Sequence, residues 1–287
     1  MGAPGQPRSK AKVASPLGRY SGPVPTPARS QTLLLALLVL AAAAAFLGLR
    51  RWNAANQAAP SAAAARPLAN PGQTGRAQIS GRVTFTGRIP ESREPASVFP
   101  ECGQRVAVPP LQVSADGGVA NAFVWVKDGL PPGDYPVPAD KVLLDQHDCE
   151  YSPHVFGIRP GQPLEVRNGD HLLHNVNARG SGAGLSRGPN AFNVAMPLQG
   201  LKVVRSFGEP QVAVMITCDV HPWMRAYAGV VPHPFFAVTG PGGAFTLTGL
   251  PAGSYTVEAW HERLGRTTAL VQVAEGASAQ AALTYQP

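Results

Sequence analysis

The stretch "TCDVHPWMRAY", residues 217–227, sets Cys218, His221 and Met224 three residues apart from one another. The chain has only three cysteines and four methionines in 287 residues, so this gathering of sulfur and nitrogen is a feature to explain. A short loop can turn donors spaced in this way toward one centre. A fourth donor must come from another segment, and His174, in "HLLHNVNARG", follows the strand-like run "LEVRNGD". A thiolate, two imidazoles and a thioether suit copper, because soft sulfur combined with imidazole selects it; His2Cys with a weak axial Met is the blue-copper type. Zinc more often takes a second cysteine, a third histidine or a carboxylate where this set has a methionine. The plainer alternative is a packing role for Cys218, as is common for a buried free cysteine, beside an unrelated His and Met.

The segments that must position these donors read as short strands. From Ala77 onward, "AQISGRVTFTGRIP" alternates around Ile79, Val83 and Phe85 and stops at Gly87 and Pro90. "VANAFVWVKDGL" (119–130) puts Ala122, Val124 and Val126 on one face. "KVLLD", "HVFGIRPGQPLEVRNGD", "LKVVRSF" and "QVAVMITCD" are aliphatic or β-branched runs closed by Gly, Pro, Asn or Asp. Glycine and proline together number 61, which favours many turns over long helices. The expectation is an all-β exported part.

Ahead of it the texture differs. Residues 1–76 hold nine Lys/Arg and no acid, whereas 77–287 hold 15 basic and 17 acidic residues. The net charge of +7 therefore belongs to the tail, which argues against a nucleic-acid partner. Residues 32–49, "TLLLALLVLAAAAAFLGL", are uncharged and just long enough to span a bilayer, which takes about 20 residues. Some thirty residues precede them, more than a cleaved signal peptide usually carries, so an uncleaved signal-anchor is expected. The basic tail (1–31) would stay cytoplasmic, with anionic lipid as a further contact, and the folded part would face the periplasm or cell exterior. Residues 50–76 read as a flexible tether.

Two resemblances follow from these residues. "GGAFTLTGLPAGSYTVEAW" resembles the carboxypeptidase regulatory-like domain, a small transthyretin-like β-sandwich, over Phe236 to Val273. That family's opening pattern occurs at Ile79–Val83 and Ala122–Val126, so the resemblance implies one sandwich from 77–137 plus 233–287, with 138–232 inserted; two tandem domains are the alternative. The inserted part resembles the cupredoxins. "YSPHVFGIRPGQPLEVRNGDHLLHNV" is similar to their opening, and Cys218, His221, Pro222 and Met224 to their ligand loop. The resemblance implies a Greek-key sandwich with one type 1 copper. His174, Cys218 and His221 would be strong ligands and Met224 the axial one. Asn175 would lock the loop, with Asp219 beside it where relatives often carry a hydroxyl. It also implies an apolar docking patch centred on His221, Pro222 and Trp223, with Met196 and Pro197, for redox protein partners.

Cys102 and Cys149 remain. In an exported protein two spare cysteines suggest a disulfide, and a second metal site from His147, Cys149 and His154 is the rival. His171 lies in a loop next to the copper-like histidine and could substitute for it; His233 and His261 read as structural. The chain has no H-x-H pair of the kind a second, catalytic copper site commonly uses, so catalysis is not expected. Single-electron transfer is the first expectation, copper storage or delivery the second, and a metal-free interaction sandwich the third.

Overall fold

The computed structural model of the chain describes residues 70–89, 102, 111–180 and 192–287, together with four helical positions, Leu40, Ala43, Ala44 and Leu47. Apart from those four positions, the expected membrane segment and the tether lie outside the described residues. Among the described residues no helix is long and apolar enough to cross a membrane. What is described from Asn70 on is all β, in sixteen strands and four sheets.

Two sheets draw their strands from both ends of the described β region. β1 (Ala77–Phe85) lies between β13 (Ala244–Leu250), antiparallel, and β16 (Ser278–Tyr285), parallel. The facing sheet has the order β12 (Phe236–Val238), β2 (Phe123–Asp128), β14 (Gly253–His261), β15 (Gly265–Val273). Period-2 alternation sends Ile79, Val83, Leu247, Leu283, Val257 and Val271 into the shared core. The "LPAG" turn, Leu250–Gly253, joins strands of opposite sheets and so bridges the sandwich instead of closing a hairpin. Tyr255 secures it by donating its hydroxyl to the Pro251 carbonyl at 2.7 Å.

The other two sheets are built from 142–230. One has the order β5 (Val155–Ile158), β11 (Arg225–Val230), β10 (Gln211–Thr217), β7 (His174–Arg179), β8 (Phe192–Met196). The other has the order β4 (Glu150–Ser152), β3 (Val142–His147), β6 (Leu164–Asn168), β9 (Lys202–Arg205). Between them Leu144, Ile158, Leu164, Val166, Phe207 and Ile216 form a second core.

A third apolar cluster joins the sandwiches and accounts for the unusual burial of β2. Ala122, Val124 and Val126 face their own core, as the alternation predicts, but Phe123 and Trp125 on the other face are buried too. They pack with Val155, Tyr227 and Val231 of the inner sandwich. Gly157 and Gly229, paired across β5 and β11, make room: a Cβ at either would strike the ring of Phe236 or Phe123. Arg159 adds polar ties at the joint, donating to the carbonyls of Pro232 (2.7 Å) and Tyr135 (3.2 Å).

Candidate metal centre

Strand register brings the donors together. β10 and β11 pair down to Thr217↔Arg225, so residues 218–224 are the connection at the open end of that ladder. β7 runs antiparallel on the other side of β10, with Thr217 opposite Asn177. Continuing that register puts Asn175 beside Asp219, and the first residue of β7, His174, beside the connecting loop. The loop is internally bonded. Cys218 N–H donates to the Met224 carbonyl (3.4 Å), Met224 N–H to the His221 carbonyl (3.0 Å), and His221 N–H to Cys218 Sγ (3.4 Å).

The outcome is a compact donor set. His174 Nδ1 lies 2.9 Å from His221 Nδ1, and Cys218 Sγ lies 3.7 Å from His221 Nδ1. One ligand atom from each of His174, Cys218 and His221 falls within 4.8 Å of the others. All three residues are buried, and Met224, also buried, packs in the same core. Cys218 is the free cysteine. Two imidazole nitrogens facing each other beside a sulfur, away from water, fit a soft-leaning metal ion better than they fit apolar packing.

Asp170 fixes which nitrogen of His174 is available. Its Oδ2 lies 2.9 Å from His174 Nε2, so a carboxylate there accepts the Nε2 proton and leaves the Nδ1 lone pair aimed at Cys218 and His221. Burial pushes the Asp170 carboxyl up, but hydrogen bonds from the Cys149 N–H, His174 and the Asp148 N–H outweigh it and hold it below the usual carboxylate range. In the sequence Asp170 was only the close of a turn.

Asn175 and Asp219 bond reciprocally. Asn175 Oδ1 accepts the Asp219 N–H at 2.6 Å, and Asn175 Nδ2 donates to Asp219 Oδ2 at 2.9 Å. The Asp219 carboxylate also accepts from Asn177 and Asn193, each at 2.9 Å. Partial burial pushes the Asp219 carboxyl up, yet these three amides, with Arg179 nearby, take it below the usual range. Asn177 and Asn193 escaped sequence reading because they meet only through the β7–β8 register, in which they are directly paired.

Cys102 and Cys149 form a disulfide, with Cα atoms 5.6 Å apart. The rival site does not assemble: Cys149 is spent in that bond, and the His154 ring is held between Glu262 (2.7 Å) and the Arg225 carbonyl (3.0 Å). His147 is exposed beside Asp148 and Asp170, and His171 is exposed in its loop. His233 and His261 are buried in the outer part, away from the donor set.

The expected docking patch needs correcting. Met196 is 0 % exposed, because alternation along β8 turns Val194 and Met196 inward. His221 is only 2 % exposed. Both disulfide sulfurs lie within 4.8 Å of one of its ring nitrogens, and Trp223 packs at a centroid distance of 5.3 Å. Trp223 is itself half-buried and donates Nε1–H to the Cys149 carbonyl at 3.2 Å. Pro222 and Pro197 are exposed as expected.

No family model and no curated protein matches the chain. Solved structures similar to part of this chain include cupredoxins and a copper enzyme. A copper-containing nitrite reductase from Thermus scotoductus is 18% identical, covers 36% of this chain and 25% of its own, and gives a TM-score of 0.29; this chain thus spans about a quarter of that enzyme. Amicyanin from Paracoccus versutus is 24% identical over 38% of this chain and 97% of its own, TM-score 0.28. A purple cupredoxin from Nitrosopumilus maritimus is 22% identical over 31% and 99%, TM-score 0.27. The chemistry of the site rests on its own residues.

Proposed function

We propose that this chain is a membrane-anchored type 1 copper protein that passes single electrons between protein partners outside the cytoplasm. The observation that carries the reading is the buried convergence of His174 Nδ1, His221 Nδ1 and Cys218 Sγ. In this reading those three are the strong ligands and Met224 the weak axial one. Copper, when bound, supplies a one-electron couple.

The protein's own part is to keep the donors still. Asp170 holds the His174 ring and its tautomer. The Asn175–Asp219 pair, backed by Asn177 and Asn193, closes the ligand loop against β7 and β8. The His221 N–H is directed at Cys218 Sγ and holds that sulfur in place within the loop. Donors fixed in this way change little between two oxidation states, which is what one-electron exchange requires. Exposed Pro222 and Pro197 are the apolar positions left for a weak, short-lived partner.

In the same reading residues 32–49 anchor the chain, and the outer sandwich, of the carboxypeptidase regulatory-like type, is a platform for the inner one. A disulfide accords with an oxidising compartment. No catalytic role is assigned. Voltammetry of the copper-loaded protein with a Cu(I) chelator present tests this against storage or delivery. Repeated one-electron cycles with copper retained support electron transfer. Loss of copper to the chelator on the first reduction would favour delivery.

A further inference from the structure

The Cys102–Cys149 disulfide lies against the candidate centre. Both sulfurs are within 4.8 Å of a His221 ring nitrogen. Cys149 Sγ is within the same limit of a His174 nitrogen and an Asp170 oxygen. The turn that presents Cys149 there is conformationally costly. Asp148 and Cys149, the two residues between the paired His147 and Glu150, both have positive φ, 54° and 56°. Such two-residue hairpin turns ordinarily use Asn-Gly or Asp-Gly. Here the surroundings enforce the geometry. Asp170 accepts the N–H groups of Asp148 (2.8 Å) and Cys149 (3.0 Å), and Trp223 donates to the Cys149 carbonyl. Strain held in place by so many neighbours points to a use for the position.

We propose that in its reduced, dithiol form the Cys102–Cys149 pair is a second metal site, which takes Cu(I) on two thiolates and His221. Two sulfurs bound to one ion at about 2.3 Å sit roughly 3.8 Å apart, a separation reached when the S–S bond opens. The His221 nitrogen is already within reach. Two thiolates with an imidazole suit a soft monovalent cation. The disulfide form has no thiolate to offer, so the site exists only after reduction.

The reductant is a dithiol. One of its thiolates attacks the partly exposed Cys102 sulfur, the S–S bond breaks, and the buried Cys149 leaves as thiolate. The second thiol of the reductant then displaces Cys102. Two electrons and two protons pass to the pair, and the reductant ends as a disulfide. Cu(I) binding releases the thiol protons and leaves the oxidation state of the metal unchanged. Because His221 belongs to both donor sets, an ion on the reduced pair is one ligand exchange from Cys218.

The test uses the full chain in detergent with Cys218→Ala, so that the inner site contributes no thiolate. The pair is reduced with a dithiol, freed of reductant and titrated anaerobically with Cu(I) against a chromophoric Cu(I) chelator. One equivalent should be withheld from the chelator by the reduced protein and none by the oxidised protein. Cys149→Ser and Cys102→Ser should each remove that equivalent, and alkylating the reduced pair with iodoacetamide should do so without any substitution. A reduced protein that withholds no copper, or whose bound equivalent survives alkylation, overturns the proposal. Either failure leaves the blue-copper reading untouched, since that reading depends on Cys218.

Discussion

His233 and His261 of the outer sandwich are buried singly, whereas His174 and His221 of the inner one are buried face to face. His233 places its Nδ1 near the Phe235 N–H at 3.3 Å and stacks on that ring, and His261 likewise meets the Arg263 N–H at 3.1 Å. Each serves its own chain segment and is kept neutral: burial above all pushes both down to about 4, and the nearby Glu262 does not offset it at His261. The inner pair share a space with a sulfur, and an acid fixes one ring from behind. Burial alone is therefore no sign of a metal site. The sign is imidazole nitrogens that converge and are oriented by an outer group.

Substitution of the converging pair should separate the two regions most sharply. His174→Ala should abolish tight copper binding while the metal-free protein, though destabilised by the loss of a buried and bonded ring, still unfolds cooperatively, and His261→Gln should leave copper stoichiometry unchanged. Copper titration together with thermal unfolding reads both. If His261→Gln also lost copper, the comparison would be broken.

Acid should act on the outer pair. Their folded-state values lie below the ordinary histidine value of 6.5. As pH falls from about 6.5 to about 4 the unfolded chain therefore takes up protons that the folded one refuses, and stability falls through that window. At pH 5 each histidine should cost on the order of 2 kcal/mol relative to pH 7. Urea unfolding of metal-free protein at the two pH values checks this, and His261→Gln should remove about half of the loss.

Smaller effects sharpen the role of the supporting groups. Asp170→Asn keeps one acceptor oxygen where three donors need two, and copper affinity should fall by about 10–100-fold with the fold intact. Gly229→Ala would drive a methyl group into the Phe123 ring and should cost about 1–3 kcal/mol at the joint between sandwiches, with little change in copper affinity.

Much of the donor set was legible because it is local: Cys218, His221 and Met224 fall in one loop, and His174 opens a recognisable strand. The all-β architecture was legible from alternation in β1, β6 and β10. What could not be read depends on which strands become neighbours. Asn193 reaches Asp219 only because β8 pairs with β7, and Met196 turns inward for the same reason. β2 reads as one-sided, yet both faces are buried, because its second face meets another sandwich. The number of cysteines suggested the pairing of Cys102 with Cys149 and left a metal-site rival open; its place beside His221 needs the β3–β4 turn and a partner 47 residues away. Asp170 resembled any turn-closing acid until the fold set it behind His174.

The most direct measurement of the central claim is the visible absorption spectrum of the oxidised, copper-loaded protein beside that of Cys218→Ser. An intense blue colour from charge transfer between the Cys218 thiolate and Cu(II), absent in the variant, is the predicted result. A colourless protein carrying one equivalent of copper, or a Cys218→Ser variant that stays blue, would contradict it.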